Sequence, residues 1–435
     1  MAQTLKRSMV GWVGVAVLLA GRVASAQPSV PEPPPPAEPW YEAVQLRAFA
    51  DTYATANWAF PKPASYQPPT RYYDGKQGFG LAWVGLDAVF APEPVGGTLS
   101  LRWGPMATQH AGSDADSGLE HVKQAYVAWK PGAGPVTLEL GKFDTFVGAE
   151  VAESQDNFNY TRGLLHSFAQ PHFHTGVRAT AELVPELTLT TMVANGVDRS
   201  FDNNVGKTFG VGVGVSPSDS FAANLSWIGG PEQPDSTEVA CTAGTKYDPD
   251  AGTCAASAGT AAQTWVVDRG DANDFRAWRH LVDLTLTVQP METLAIALNV
   301  DYGVEGVRNT DTSVDADPKA HKWYGAALLG RVQLDETWAL AVRGEYLVDK
   351  KGRALSYELP KGCSGTGCQL LTDAKLASGT LTFEARPTEN LILRLENRGD
   401  FVLKAKPDDE IYREKVRGTG SKLITTTLGV VVTTN

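Results

Sequence analysis

The sequence predicts an all-β protein: a transmembrane, antiparallel, up-and-down β-barrel of about sixteen strands with an inward-folded third external loop. Three observations predict it. Short segments with an apolar residue at every second position recur along the chain, which gives each strand one apolar and one polar face. Short turns alternate with long polar connections. Aromatic residues stand at both ends of the segments, where a membrane strand meets the bilayer interfaces.

The alternating segments begin at Val44 and end at Val432. After the start of the chain, no apolar run reaches the roughly 20 residues of a membrane helix, so a membrane form of this chain must cross as strands. The sixteen segments are residues 44–50, 82–90, 99–103, 125–129, 136–140, 177–183, 187–193, 209–215, 221–227, 282–288, 294–300, 324–332, 338–342, 381–385, 391–395 and 424–432.

The lengths of the connections distinguish a membrane barrel from a soluble β-sandwich, whose strands would also alternate apolar and polar residues. A tight turn, usually with proline, follows every even-numbered segment, and a longer polar connection follows every odd-numbered one. Both chain ends then fall on the side of the tight turns. Greek-key connections do not place short turns at one end of the strands and long loops at the other, whereas an up-and-down membrane barrel does.

Tryptophan and tyrosine favour the bilayer interfaces. Predicted strand ends on the long-loop side carry Trp58, Trp103, Trp227 and Tyr324, and those on the turn side carry Phe90, Trp129 and Trp338. A general enrichment of aromatic residues in strands explains their presence less fully than their placement. The sequence therefore predicts two aromatic girdles.

The N-terminus predicts export. Residues 1–26 combine a basic start at Lys6 and Arg7, an apolar stretch and a small-residue cleavage site at Ala26, as a secretory signal does. Residues 27–42 are rich in proline and predict a free periplasmic tether. We assign residues 43–435 to the barrel.

The charge balance disfavours a nucleic-acid partner. The chain carries 38 Lys and Arg against 49 Asp and Glu, a net charge of −11. Loss of Lys6, Arg7 and Arg22 with the signal segment lowers this to about −14, the wrong sign for binding phosphate backbones.

The four cysteines form two local pairs within predicted loops. An exported protein passes through an oxidising compartment, so Cys241 is expected to bond Cys254, and Cys363 to bond Cys368. Neither spacing is that of a zinc or redox motif. We expect no metal and no cofactor.

Charged residues stand opposite the apolar stripes. Because an arginine on the lipid face costs about 2 to 4 kcal/mol near the midplane, these side chains are expected to line the lumen. The basic ones form the predicted pore wall: Arg47, Arg102, Arg178, Arg331, Arg343, Arg394 and Arg398. Their acidic neighbours are Asp51, Glu139, Glu182, Asp283, Asp301, Glu345, Glu384 and Glu396. The same residues would also suit an internally paired lumen without selectivity.

Between the fifth and sixth segments lie about thirty residues that are too polar for a strand. Long loops carry function more often than structure, and we predict that this one narrows the lumen. Its candidate constriction residues are Glu150, Glu153, Asp156, Arg162 and His166. Acidic groups at a narrow point favour cations, so a mild cation preference at low salt is expected. Alternatively, some of these residues pin the loop to the wall. His172 and His174 have no third ligand nearby, which makes them weak metal candidates.

No nucleophile motif, phosphate-binding loop or zinc-protease motif occurs in the sequence. The histidines outside the third loop are expected to be loop-surface residues. The sequence therefore gives no support to an enzyme.

Several short motifs resemble the OmpL-like outer-membrane β-barrel porins and, more loosely, the phosphate-selective porins. They are Ala125-Tyr126, Gly141-Lys142-Phe143, Gly148 with Glu150, Asn159-Tyr160-Thr161-Arg162, Pro171, Gly176-Val177-Arg178, Asn195-Gly196, Asn203-Asn204 and Lys207-Thr208. Residues 53–58 fit as well. The likeness covers residues 41–215 well, and the rest of the chain matches in its strand rhythm.

The resemblance implies a bacterial outer-membrane channel for small hydrophilic solutes or ions, surrounded by lipid and assembled as a homotrimer. The chain ends Val432-Thr433-Thr434-Asn435 instead of on the terminal aromatic usual in such barrels, and the basic ladder of phosphate channels is only partly matched. Phosphate selectivity is therefore not carried over. The alternative function is that of a surface adhesion or recognition protein, which acts through its long loops while the barrel anchors it.

Overall fold

A computed structural model of the chain confirms a closed barrel of sixteen antiparallel strands. It describes residues 43–62, 66–71, 74–248, 253–268, 275–307, 319–356, 372–406, 412–414 and 418–434. The predicted signal segment and tether lie outside the described residues, as does the predicted Cys363–Cys368 pair.

The barrel strands, numbered here in chain order, agree with the predicted segments in number and position. They are β1 (Val44–Asn57), β2 (Gly78–Phe90), β3 (Val95–Trp103), β4 (Val122–Trp129), β5 (Val136–Asp144), β6 (Phe173–Val184), β7 (Leu187–Ala194), β8 (Thr208–Ser218), β9 (Phe221–Gly230), β10 (Arg279–Met291), β11 (Leu294–Val307), β12 (Lys319–Gln333), β13 (Trp338–Asp349), β14 (Thr372–Thr388), β15 (Leu391–Lys406) and β16 (Lys422–Thr433).

Each strand pairs with its neighbours in sequence, and β1 closes the barrel against β16. The closing register runs from Phe49 opposite Thr433 to Asn57 opposite Thr425. The short connections meet at one end of the barrel, called the turn end here, and the long ones at the other, called the loop end. Closure leaves no unpaired strand edge in the membrane.

The apolar stripes face outward, as the alternation predicts. Leu140, Leu328 and Val342 are more than half exposed on the outer surface, a position that suits lipid and not water. Trp103 and Tyr324 are exposed near the loop end and Trp129 and Trp338 near the turn end, so both girdles are present.

Helical turns occur in the connections. They are α1 (Pro105–Ala111), α2 (Arg353–Ser356), the 3₁₀ turns Gly112–Ser117, Ser154–Asp156 and Phe275–Ala277, and the π-helical turn Leu165–Ala169. In the described part of the chain, no helix is both long and apolar enough to span a membrane.

The connection between β9 and β10 forms an arm of two hairpins. Ser236–Cys241 pairs with Gln263–Asp268, and Thr245–Asp248 pairs with Thr253–Ala256. A disulfide joins Cys241 to Cys254, as predicted. A third small hairpin pairs Tyr412–Glu414 with Gly418–Gly420.

The third loop is shorter than the sequence pattern indicates. β5 and β6 stay paired as far as Asp144 opposite Phe173, so the loop comprises residues 145–172 and Gly176 lies within β6. The strands extend because Phe143 and Phe173 are fully buried at their loop ends; burial of two aromatic side chains favours continued pairing.

Candidate functional site

The third loop runs back inside the barrel and is buried along most of its length. Among the described residues, its hydrogen bonds and ion pairs reach at least eleven of the sixteen strands: β1, β3, β4, β6, β9, β10, β11, β12, β13, β14 and β15. A loop on the outer surface could not reach so many strands. The inward fold of this loop is therefore present in the structure.

Arginines of the barrel wall bind the loop through its backbone. Arg394 of β15 donates to the carbonyl oxygens of Asn157 at 2.7 Å and Asn159 at 3.2 Å, and also to that of Ser154. Arg398 donates to the carbonyl of Arg162 at 2.6 Å. A guanidinium offers five donors in a fixed plane, so these two side chains satisfy carbonyl groups that would otherwise be buried without partners.

Glu153 is fixed between two cations of the wall. Its carboxylate lies 2.8 Å from Arg102 of β3 and 3.2 Å from Lys123 of β4. Burial alone would raise the pKa of Glu153, but the attraction of Lys123 and Arg102 outweighs it and lowers that pKa to about 2. Glu153 is thus ionised at any physiological pH and acts as an anchor of the loop.

Glu150 is anchored on the opposite wall. It lies 2.5 Å from Arg343 of β13 and accepts a hydrogen bond of 2.8 Å from the backbone N–H of Gly163. Arg343 also donates to the carbonyl of Thr161 at 2.5 Å. Glu150 and Glu153 therefore hold the loop across the width of the lumen, and neither faces open water.

Tyr160 binds the wall where the barrel closes. Its hydroxyl donates to Asp51 of β1 at 2.6 Å, and the hydroxyl of Ser154 donates to the other oxygen of Asp51 at 2.6 Å. The Tyr160 ring packs against Gly429 of β16, where a Cβ atom would lie 2.2 Å from the ring. Glycine is needed here because only a residue without a side chain leaves room for the ring.

Both ends of the loop meet on β10 and β11. The N–H of Gly148 donates to Asp283 at 3.1 Å and that of Ala149 to Asn299 at 3.2 Å. Gln170, near the far end of the loop, donates to Asn299 at 2.7 Å and to Asp301 at 2.8 Å. These contacts bring the two ends of the loop together on the same part of the wall.

Asp156 is the predicted constriction residue that faces solvent. Its side chain is 39% exposed and forms an ion pair of 3.2 Å with Arg47, which is 41% exposed. By contrast, Glu150, Glu153, Arg162 and His166 are each less than 10% exposed. The five predicted residues thus share one loop but line no common open ring.

The predicted wall arginines fall into two groups. Arg102, Arg343, Arg394 and Arg398 are buried beneath the loop. Arg47, Arg178 and Arg331 keep part of their side chains exposed, and each is paired with a carboxylate, namely Asp156, Glu139 and Glu384. The charges that meet water are therefore largely balanced in pairs.

The loop leaves a strip of polar wall partly exposed towards the turn end. Its inward-facing side chains on β5, β6, β7, β9 and β10 are Thr137, Glu139, Arg178, Thr180, Glu182, Thr188, Thr190, Asn224, Thr285 and Thr287. We call this strip the vestibule. Nearer the loop end, the vestibule meets a buried apolar cluster of Phe143, Val147, Met192, Ala194, Val197, Ile228 and Leu281.

His172 and His174 do not converge on a common point. His172 is hydrogen-bonded to the carbonyl of His166 at 3.0 Å, whereas His174 is hydrogen-bonded to that of Gly196 at 3.1 Å. Within the described ranges, no group of three or more His, Cys, Asp or Glu side chains could hold a metal ion.

Lys123, Asn299 and Gln170 also hold the loop in place, but the sequence pattern does not single them out. Each is a polar side chain whose partner lies far away in the chain, and periodicity carries no information about such partners. Gly429 did leave a signal, because a glycine on the inward face of a strand indicates a close approach.

Several solved outer-membrane proteins share this fold. The chain is similar to OmpT of Vibrio cholerae in its in-vitro folded trimer form (12% identity, TM-score 0.51, 90% of this chain and 99% of that one). It is also similar to the outer membrane channel DcaP of Acinetobacter baumannii (10%, TM-score 0.53, 90% and 97%). An anion-selective porin from Comamonas acidovorans gives 10% identity and a TM-score of 0.50, with 90% and 99% covered. Identities this low establish the fold alone.

No curated protein matches the chain in sequence. The family described as "Putative beta-barrel porin-2, OmpL-like" matches residues 43–433, which is nearly the whole of the barrel. Fold and family agree, and the chain belongs to this family of outer-membrane β-barrel porins.

Proposed function

We propose that this chain is a passive diffusion channel for small hydrophilic solutes or ions, with its third loop as the constriction. The observation that supports this best is the anchoring of a polar loop inside the lumen by Glu150, Glu153 and Tyr160. A barrel that served only as an anchor would gain nothing specific from so many inward contacts.

The vestibule supports a route for neutral polar solutes. Threonine and asparagine side chains offer hydrogen bonds to a passing solute without holding it by charge. The charges of Arg178 and Glu139 in the vestibule are paired with each other. We therefore propose a passage that selects by size and polarity, with at most a mild ion preference set by Asp156.

Liposome swelling with sugars of increasing size tests the proposal. Vesicles that contain the purified protein should admit monosaccharides and exclude oligosaccharides at one or both of two pH values, 7.5 and 5.0. Vesicles with heat-denatured protein serve as the control. Vesicles that stay as tight as protein-free ones at both pH values would contradict a diffusion channel.

One alternative retains support: a barrel-anchored adhesion or recognition protein. Two observations favour it, namely the burial of the lumen towards the loop end and the disulfide-clipped arm at residues 236–268. Deletion of the arm would abolish binding to a surface partner under this alternative and would leave sugar passage unchanged under the porin proposal.

We also propose that the chain assembles as a homotrimer in outer-membrane lipid, after cleavage behind Ala26. One related structure is described as a trimer form, and the closed apolar outer wall suits close packing of copies. Native mass spectrometry from detergent would give three times the mass of residues 27–435, and N-terminal sequencing would begin at Gln27. A monomer mass or an uncleaved start would contradict the respective proposal.

A further inference from the structure

Three histidines from two loops meet at the loop end of the barrel. His110 belongs to α1, His166 to the π-helical turn and His172 to the end of the third loop. The His172 ring lies next to the other two, with its centroid 5.5 Å from that of His110 and 5.0 Å from that of His166. All three are at least nine-tenths buried, so the prediction that His110 is a loop-surface residue is wrong. We call them the histidine cluster.

We propose that the histidine cluster is an acid-sensitive latch, whose protonation releases the third loop from the lumen and opens the passage. The inference rests on the proposed channel function and adds a means of regulation to it. Two of the three rings belong to the third loop itself, so a change in their charge acts directly on that loop.

The surroundings favour neutral rings. The charged groups that face the cluster are Lys123 of β4, Lys142 of β5 and Arg162 of the loop, against Asp198 and Glu153. Lys123 and Lys142 already pair with carboxylates, Glu153 and Asp114. Asp198 lies 3.8 Å from His172, and its other oxygen accepts the backbone N–H groups of His172 and Phe173. The nearby carboxylates are thus already paired with cations or hydrogen-bonded. Uncharged rings fit these surroundings, whereas three imidazolium ions would add more positive charge than the carboxylates could balance.

His110 has little capacity to hold a proton. Its ring packs near Trp83 and Phe173, and within the described residues neither ring nitrogen has a hydrogen-bond partner. Burial, followed by the repulsion of Lys123, lowers the pKa of His110 well below its usual value. Burial and the neighbouring His172 do the same for His166.

The direction of the effect follows from linkage. With the loop released, the rings of His110 and His166 meet water, and the pKa of each returns to about 6.5. The closed state, in which the pKa values of His110 and His166 are depressed, is therefore fully favoured above about pH 6.5. Below this pH, each proton taken up shifts the equilibrium towards release by up to about tenfold per pH unit.

Thiol labelling measures release independently of conductance. Ser167 is 1% exposed in the loop, so the variant Ser167→Cys carries a thiol that the closed loop hides. Ser218→Cys at the exposed turn end corrects for the pH dependence of the reagent, and the unsubstituted protein gives the background. The native cysteines of the arm form a disulfide and do not react. We expect the corrected labelling rate of Ser167→Cys to rise at least about tenfold from pH 7.5 to pH 5.0, with a parallel rise in conductance.

Asparagine substitutions identify the groups responsible. His110→Asn, His166→Asn and His172→Asn, singly and together, should flatten both pH profiles, whereas His280→Asn and His321→Asn, outside the cluster, should leave them unchanged. Labelling that stays low at pH 5.0, or a triple variant with the wild-type profile, would overturn the latch. Labelling that rises without any conductance would keep the latch and contradict the channel. Conductance that does not change with pH would keep the channel and contradict the latch.

Discussion

Single side chains decide whether the third loop stays in the lumen. Glu153 lies between Arg102 and Lys123, and these cations keep second partners in Asp87 and Asp144. Such a network is costly to break because removal of one member leaves buried charge without compensation.

Glu153→Gln should therefore lower the free energy of unfolding by about 3 kcal/mol, near the lower end for a broken buried pair since Asp87 and Asp144 remain. Because the folded pKa of Glu153 is about 2, below its ordinary value of about 4.3, its stabilisation is complete above pH 4.3 and is lost as the pH falls through 2. The advantage of the wild type over Glu153→Gln should shrink over that interval. Urea titrations in lipid vesicles measure this. Glu182→Gln, at an exposed lumen position, serves as the control; equal stability of both variants would contradict the anchor.

Asp156 differs from Glu150 and Glu153 because it meets water, where a pair with Arg47 is screened by salt. Asp156→Asn should shift the reversal potential under a salt gradient towards anions and change the permeability ratio by less than about fivefold, the limit for an exposed pair worth at most about 1 kcal/mol. The shift should vanish at high salt. No shift at low salt, or a change that persists at high salt, would place the controlling charge elsewhere.

At the scale of elements, the loop and the strands fit by shape as well as by charge. Gly429→Val should displace the Tyr160 ring, since even a Cβ atom would lie 2.2 Å from it, and should raise conductance without removing a hydrogen-bonding group. Gly379→Val is the matched control, because a Cβ there meets nothing within 4 Å. The same conductance in both variants would mean that the Tyr160 contact does not position the loop.

The arm at residues 236–268 is an independent element. Its disulfide closes a short loop, which removes little entropy from the unfolded barrel. The double variant Cys241→Ser and Cys254→Ser should therefore still form a barrel that migrates as a folded band before heating and as an unfolded band after it. Loss of the folded band would contradict this. Non-reduced peptide mapping tests the pair Cys363–Cys368, where free thiols would make the pairing wrong.

For the whole molecule, the strand pattern and the inward loop could be predicted from sequence because period-two alternation and loop sorting are local properties. The partners inside the lumen could not. Glu153 is separated from Arg102 by 51 residues and Glu150 from Arg343 by 193, and no local pattern relates residues so far apart. For this reason the sequence could not indicate which wall residues bind Glu150 and Glu153, two of the candidate constriction residues.

We propose that the third loop, held inside the barrel, controls passage. Asp144 and Phe173 are paired across β5 and β6, so a short Gly-Ser linker can replace residues 149–169 without strain on the strands. A variant with residues 236–268 of the arm replaced by the same linker is the control.

Single-channel conductance in planar bilayers at pH 7.5 compares the two variants with the wild type. We expect a severalfold larger and pH-independent conductance for the third-loop variant and an unchanged one for the arm variant. A third-loop variant that conducts no more than the wild type would contradict this proposal.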